Sequence, residues 1–120
     1  MTYTIDVQEG APVLHLHGVI DAGPAMRQLA EDLQSHVAAG HTRWVFDCHR
    51  VTQLTAVGLG HLAGLVAVAR NRGGEAVLAR PPDFVHSLLM ITGFHGAVLA
   101  YDSVEDAVAA LPGETLGDGS

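Results

Sequence analysis

At 120 residues with 48% apolar side chains, the chain has the size of one ordinary domain and too many core-forming residues to be disordered. Its 13 acidic and 6 basic residues leave a net charge of −7, which argues against neutralising nucleic-acid phosphates and against docking on anionic lipid. No segment reaches the roughly 20 apolar residues that span a bilayer, no secretory leader is visible, and the lone Cys48 permits no internal disulfide, so a cytoplasmic protein without membrane insertion is expected.

Tyr3, Ile5 and Val7 alternate with Thr4, Asp6 and Gln8, the period of a half-buried strand. Glu9-Gly10 reads as a turn. Val13 to Gly18 is a second strand, with Leu14 and Leu16 on one face and His15 and His17 on the other; the two strands should pair as an N-terminal antiparallel hairpin. Asp21-Ala22-Gly23-Pro24 starts a helix, with Pro near its first position. Ala22, Met26, Leu29, Leu33 and Val37 form its apolar stripe, and Gly40 is its stop. Trp44-Val45-Phe46-Asp47-Cys48, bulky and β-branched, places a third strand over 43–48. A loop from His49 to Thr55 then leads into a helix over 57–72. Glu75 to Ala79 is a fourth strand. Pro81-Pro82 opens a helix to Gly93 with Phe84, Val85, Leu88 and Ile91 inward, and Ala97 to Tyr101 is a short fifth strand. Ser103 with Asp106 resembles a capping box ahead of Val104, Ala107, Val108 and Leu111. Residues 1–111 therefore read as one domain, and 112–120, Gly-rich and acidic, as a flexible tail. After the hairpin, strands and helices alternate. This implies an α/β fold with a mixed, mostly parallel sheet of about five strands and about four helices.

The helix after the third strand is unusual. Leu59, Leu62, Val66 and Ala69 make a core stripe at helical spacing, yet the opposite face, Val57, Gly60, His61, Gly64 and Val68, carries no fixed charge. Two apolar faces call for two coverings. One is the chain's own core, and the other is read as a partner surface in preference to packing against the helix over 24–39. The glycines of this stretch allow another backbone to come close, at roughly 1 kcal/mol each. The strand–loop–helix junction is where α/β sheets place functional residues. A GxxxxGK[ST] phosphate loop is excluded there, because the chain contains no Lys.

Val45-Phe46-Asp47, then Val51-Thr52-Gln53-Leu54, then Gly58-Leu59-Gly60-His61-Leu62 resembles the STAS domain, the fold of bacterial anti-sigma factor antagonists. Gly18-Val19-Ile20-Asp21, Arg72-Gly73-Gly74-Glu75 and Leu89-Met90-Ile91-Thr92-Gly93-Phe94 look like further motifs of that family in the right order, and the likeness covers residues 3–111. The family's Asp-Ser-Ser/Thr-Gly falls without gaps on Thr55-Ala56-Val57-Gly58. The phosphorylated serine thus matches Ala56, which has no oxygen to accept a phosphoryl group, and the next hydroxyl position matches Val57. The resemblance also implies that Asp21 matches an aspartate of the family's partner interface.

Each candidate side chain has a plainer reading. His15 and His17 have a spacing that zinc sites use, but no further ligands are nominated, so a solvent-facing sheet surface is preferred; no metal and no cofactor is expected. Cys48 reads as a small core residue, and no catalytic constellation stands out. Asp47 reads as a loop cap, and Asp21 as either a cap or a partner contact. Thr55 reads as the helix N-cap, with Thr52 or Thr55 as a displaced phosphoacceptor the alternative. The partner surface is therefore Asp21, Thr55, Ala56, Val57, Gly60, His61, Gly64 and Val68. The expected function is a non-catalytic protein-interaction regulator resembling an anti-sigma factor antagonist, binding an anti-sigma factor or kinase. The alternative is a STAS-like cytoplasmic subunit of an ABC-type lipid transport complex, with the transporter ATPase as partner. A small-molecule sensor is a third class without a cofactor signature. Self-association as a homodimer through the same helix face is left open.

Overall fold

The computed structural model describes residues 1–111. Its elements are β1 (Thr2–Gln8), β2 (Ala11–Ile20), α1 (Pro24–Ala38), β3 (Arg43–Leu54), α2 (Ala56–Asn71), β4 (Glu75–Ala79), α3 (Asp83–Thr92), a 3-10 turn (Phe94–Gly96), β5 (Ala100–Tyr101) and α4 (Val104–Ala110). One sheet runs in the order β1-β2-β3-β4-β5, with β1 antiparallel to β2 and the other pairs parallel. This is the expected mixed sheet with an N-terminal hairpin. The tail expected over 112–120 lies outside the described residues.

The hairpin turn is made by Glu9 and Gly10, both at positive φ (51° and 81°), the twist of a type I′ connection. Side chains alternate across the sheet and sort into two cores. Leu14, Leu16, Trp44, Phe46, Cys48 and Leu78 face α1, α2 and α3, joined by Met26, Leu29, Leu33, Leu59, Leu62, Val66, Val85 and Leu89. Ala11, Val13, Val45, Val77 and Ala79 face α4 through Val104, Ala107 and Val108. A sheet that is parallel in its middle is thus covered on both faces, but the second face only by a helix of 7 residues.

Several boundaries differ from expectation for a common reason: the covering is uneven. Residues 49–54 do not form a loop but continue β3, pairing with His17 to Ile20 of β2. Their polar members, His49, Arg50, Thr52 and Gln53, are exposed beyond the reach of α4, while Val51 and Leu54 stay buried under the other helices. Ile5 and Val7 are 37% and 60% exposed, because among the residues of edge strand β1 it is Tyr3 that meets α1, donating its hydroxyl to Asp32. Ala22 is exposed ahead of α1, which begins at Pro24. On the short α3, Val85 and Leu89, four residues apart, are the buried pair. Phe84 (41%) and Ile91 (82%) are exposed, contrary to their assignment inward, and Leu88 is half-buried. β5 keeps only two residues, because the Ala97 and Val98 N–H groups bond back to the Phe94 carbonyl of the 3-10 turn instead of joining the sheet.

α2 sits tightly on the end of β2. A Cβ on Gly58 would lie 2.2 Å from the carbonyl oxygen of Ile20, a distance only glycine avoids. Gly60 and Gly64 differ, since a Cβ on either would meet nothing within 4 Å. Gly58→Ala should therefore destabilise the chain by about 3 kcal/mol, since the opposing atom is backbone and cannot yield. Gly64→Ala should stabilise it by about 0.5–1 kcal/mol through helix propensity alone. Urea unfolding of both variants checks the pair; equal effects would mean that neither glycine serves close approach.

Candidate functional site

The junction between β3 and α2 gathers most of the residues singled out from the sequence. Thr55 is the N-cap of α2, its Oγ1 accepting the Gly58 N–H at 3.0 Å. The same hydroxyl donates to Asp21 Oδ1 at 2.7 Å, and the Thr55 N–H donates to the Ile20 carbonyl at 3.1 Å. The end of β2 and the start of α2 are thereby fastened together. The Thr55 hydroxyl and the Ala22 N–H hold the Asp21 carboxyl below the usual carboxylate range. Asp21 is thus an exposed anion fixed beside the first turn of α2.

Ala56 and Val57 follow at the surface, Val57 being 57% exposed, and Gly60, His61 and Gly64 continue the exposed strip one helical turn at a time. Val68 does not belong with them, being half-buried and packed on the main core beside Val37 of α1. His61 borders a groove of about 360 Å³ between α1 and α2, floored by Met26, Ala30 and Leu65 and edged by Arg27. The uncharged outer face therefore leans on α1 along one edge and is open elsewhere. Thr52 is an exposed strand residue. Cys48 is buried, and burial, with the nearby Asp47 charge, pushes its thiol up to about 12, so it is a core side chain and no ready thiolate.

A second cluster was missed in the sequence. Asp47 is no loop cap. It lies within β3, 3% exposed, and accepts two hydrogen bonds from the Arg80 guanidinium, Nε to Oδ1 at 3.0 Å and Nη2 to Oδ2 at 2.7 Å. His15 Nδ1 lies 2.7 Å from Oδ2, and the His49 N–H donates to Oδ1 at 3.3 Å. Burial alone would raise the Asp47 carboxyl, but these donors outweigh it and hold it below the usual range. Arg80 reaches it from a left-handed backbone conformation (φ 51°), uncommon for a side-chain-bearing residue. The signal was present: a carboxylate inside the apolar run 44–48 needs a buried partner. What the sequence lacked was the identity of that partner, 33 residues away.

Comparison with known proteins places the chain in a family. A family model described as “Mlab, STAS domain” matches residues 3–101. The chain belongs to the STAS family. BtrV of Bordetella bronchiseptica, named as an anti-sigma factor antagonist, is 30% identical over 111 residues, covering 92% of this chain and 95% of BtrV. Among solved structures, an anti-sigma factor antagonist of Thermotoga maritima superposes with a TM-score of 0.80 at 15% identity, over 89% of this chain and 92% of that one. A sulfate transporter family protein of Wolinella succinogenes gives 0.66 at 20% identity, over 87% and 86%. This STAS domain is thus anti-sigma factor antagonist-like, with the order of strands and helices that its motifs implied. No helix among the described residues is long and apolar enough to cross a membrane.

The Asp47 cluster sets an acid limit on the domain. A carboxyl held low in the folded state contributes stability above its unfolded value, about 3.9, and that contribution is lost as pH falls through the folded value. Arg80→Gln should cost about 2–3 kcal/mol at neutral pH, below the usual loss for a broken buried pair because the Arg80 side chain is 41% exposed. It should also flatten the loss of stability below about pH 4. Urea midpoints across pH 3 to 7 check both; an unchanged acid slope would assign the acid sensitivity to other carboxylates.

Proposed function

We propose that this STAS domain is a non-catalytic regulator of the anti-sigma factor antagonist type, binding an anti-sigma factor or kinase through the start and outer face of α2. The observation that carries the reading is the exposed strip Ala56, Val57, Gly60, His61 and Gly64, free of acidic, Lys and Arg side chains, beside the fixed Asp21 carboxylate. A protein partner can bury the apolar part of that strip and meet the carboxylate with an N–H donor or Arg, while the open space over Gly60 and Gly64 admits a backbone. Val68, half-buried against the core, takes little part. Likeness to BtrV along nearly the whole of both chains supports the same class of partner.

The domain is proposed to lack a phosphorylation switch at the family's usual place. Ala56 stands at the first position of α2 and Val57 at the second, and neither has a hydroxyl. The Thr55 hydroxyl is engaged, capping Gly58 and bonding Asp21, so it is a poor displaced acceptor. Missing acceptors and an uncharged helix face also suit the second reading, a subunit of an ABC-type transport complex that contacts the transporter ATPase. Calorimetric titration of the chain against an anti-sigma kinase and, separately, a transporter ATPase of the same organism separates the two.

Incubation with a partner kinase and ATP should leave no stoichiometric phosphate on the chain, as read by mass spectrometry; phosphate on Thr52 or Thr55 would restore a switch in shifted register. Ala56→Asp adds a carboxylate at the start of α2, where the helix dipole favours it by about 0.3–1 kcal/mol and the Asp21 charge opposes it. Its melting temperature should stay close to that of the parent chain while partner affinity falls at least tenfold, a loss of about 1.4 kcal/mol. Gly64→Arg should likewise keep the fold and abolish binding by filling the space over the helix. A Gly64→Arg chain that unfolds would make this face internal core and remove the proposed surface.

A further inference from the structure

The sheet face that α4 covers only in part carries a second concavity, unrelated to the outer face of α2. The register Val13–Val45–Val77 lies under α4, and the next row is His15–Asp47–Ala79. Beyond that row the face is open. It forms a hollow of about 520 Å³ lined by Thr2, Thr4, His15, His17, Arg50 and Arg80 over the buried Asp47.

Arg50 is there because of a bulge. Regular alternation from Asp47 would put residue 49 on this face and residue 50 on the helix-covered one. The pairing instead jumps from His15–Asp47 to His17–Arg50, so that two steps along β2 match three along β3. The extra residue restores Val51 to the core and turns Arg50 onto the open face, the re-aiming that bulges perform next to functional sites. The Arg50 side chain makes no hydrogen bond or ion pair among the described residues. Arg80 spends two donors on Asp47, which leaves the rest of its five-donor fork directed by that anchor and 41% exposed. An arginine oriented in this way loses little freedom on binding. Asp47 is neutralised within its own network. Two further carboxylates border the hollow: Asp6, 3.9 Å from His15 Nε2, and Glu105 of α4, close enough to Arg80 to act on its charge.

We propose that this hollow binds a small oxyanion of the phosphate class, free or as the ester of a small organic molecule. Arg50 supplies the unpaired charge, Arg80 the donors of its fork that Asp47 does not take, and His15, His17, Thr2 and Thr4 the further hydrogen bonds. Planar guanidinium forks suit such oxygens. The volume lies in the range of small-molecule sites, and an overall charge of −7 disfavours a nucleic-acid backbone as the source of the phosphate.

The test is a ¹H–¹⁵N NMR titration of the full chain with inorganic phosphate and, separately, glycerol phosphate, ionic strength being matched with sodium chloride. Saturable shifts are expected at the amides of residues 2–4, 15–17, 49–50 and 80. Arg50→Gln, which removes an exposed side chain, should keep the spectrum of the folded domain and weaken binding about tenfold or more, the worth of a charge-assisted hydrogen bond. Arg72→Gln, on another surface, should leave it unchanged. Tighter binding of the ester assigns the site to a phosphorylated small molecule, and tighter binding of inorganic phosphate assigns it to the free ion; both support the site. Absence of saturable shifts with either probe, equal affinity of the Arg50→Gln chain, or an equal loss in Arg72→Gln would overturn it.

Discussion

Much of this molecule follows from one close approach. The backbone of α2 meets the last carbonyl of β2 at Gly58, with no room for a Cβ. Around that contact Thr55 caps the helix, bonds the Ile20 carbonyl through its N–H and holds Asp21 through its hydroxyl. A neighbouring carbonyl that no longer needs water, a helix start that no longer needs a solvent cap and a carboxylate fixed at the surface all come from one short junction. Moving α2 outward to admit a side chain at 58 would open all of these bonds together. The same junction sets the direction of α2, and so decides that Leu59, Leu62 and Val66 enter the core while Ala56, Val57 and Gly60 remain outside.

The elements with a clean period were legible in the sequence. The hairpin, the stripe Met26–Leu29–Leu33, the core stripe of α2, the strand 75–79 and the capping of α4 by Ser103 all stand where their patterns place them. The failures share a physical cause. Polarity at 49, 50, 52 and 53 reads as a loop; in fact these residues extend β3 where the second face of the sheet is bare. Phe84 and Ile91 looked inward because apolar residues usually are, but a ten-residue helix at the sheet edge needs only Val85 and Leu89 for its contact. At the site, the cap on Thr55 could be read from residue type and position, whereas Asp47–Arg80 joins residues far apart in the chain and the bulge at 48–50 has no local signature.

The buried Asp47 shows how the fold tolerates polarity. A carboxylate within a strand costs several kcal/mol to desolvate unless its oxygens are satisfied. Here a guanidinium, an imidazole and a backbone N–H satisfy them, and Arg80 accepts a left-handed backbone to do so. Such backbone strain costs on the order of 1 kcal/mol or more and persists where the surroundings over-determine it. The surroundings here are the pairing of β4 with β3, which puts Ala79 opposite Asp47, and the Arg80 N–H bond to the Tyr101 carbonyl. The price is paid next to the open half of the sheet, where α4 gives no cover.

Glycines separate what the fold requires from what it does not. Gly58 and Gly74 face backbone oxygens at 2.2 and 1.8 Å from an imagined Cβ, and the internal packing accounts for both. Gly60 and Gly64 face open space in the middle of a helix, where alanine would be better by about 1 kcal/mol each. Nothing inside the domain compensates for that loss. The two residues lie on the same exposed strip as Ala56, Val57 and His61, beside the anchored Asp21. A flat, uncharged helix surface kept bare at an internal cost is what a backbone or a bulky apolar side chain of a docking protein would need. The partner surface proposed for α2 thus draws its support less from what the strip contains than from the side chains it does without.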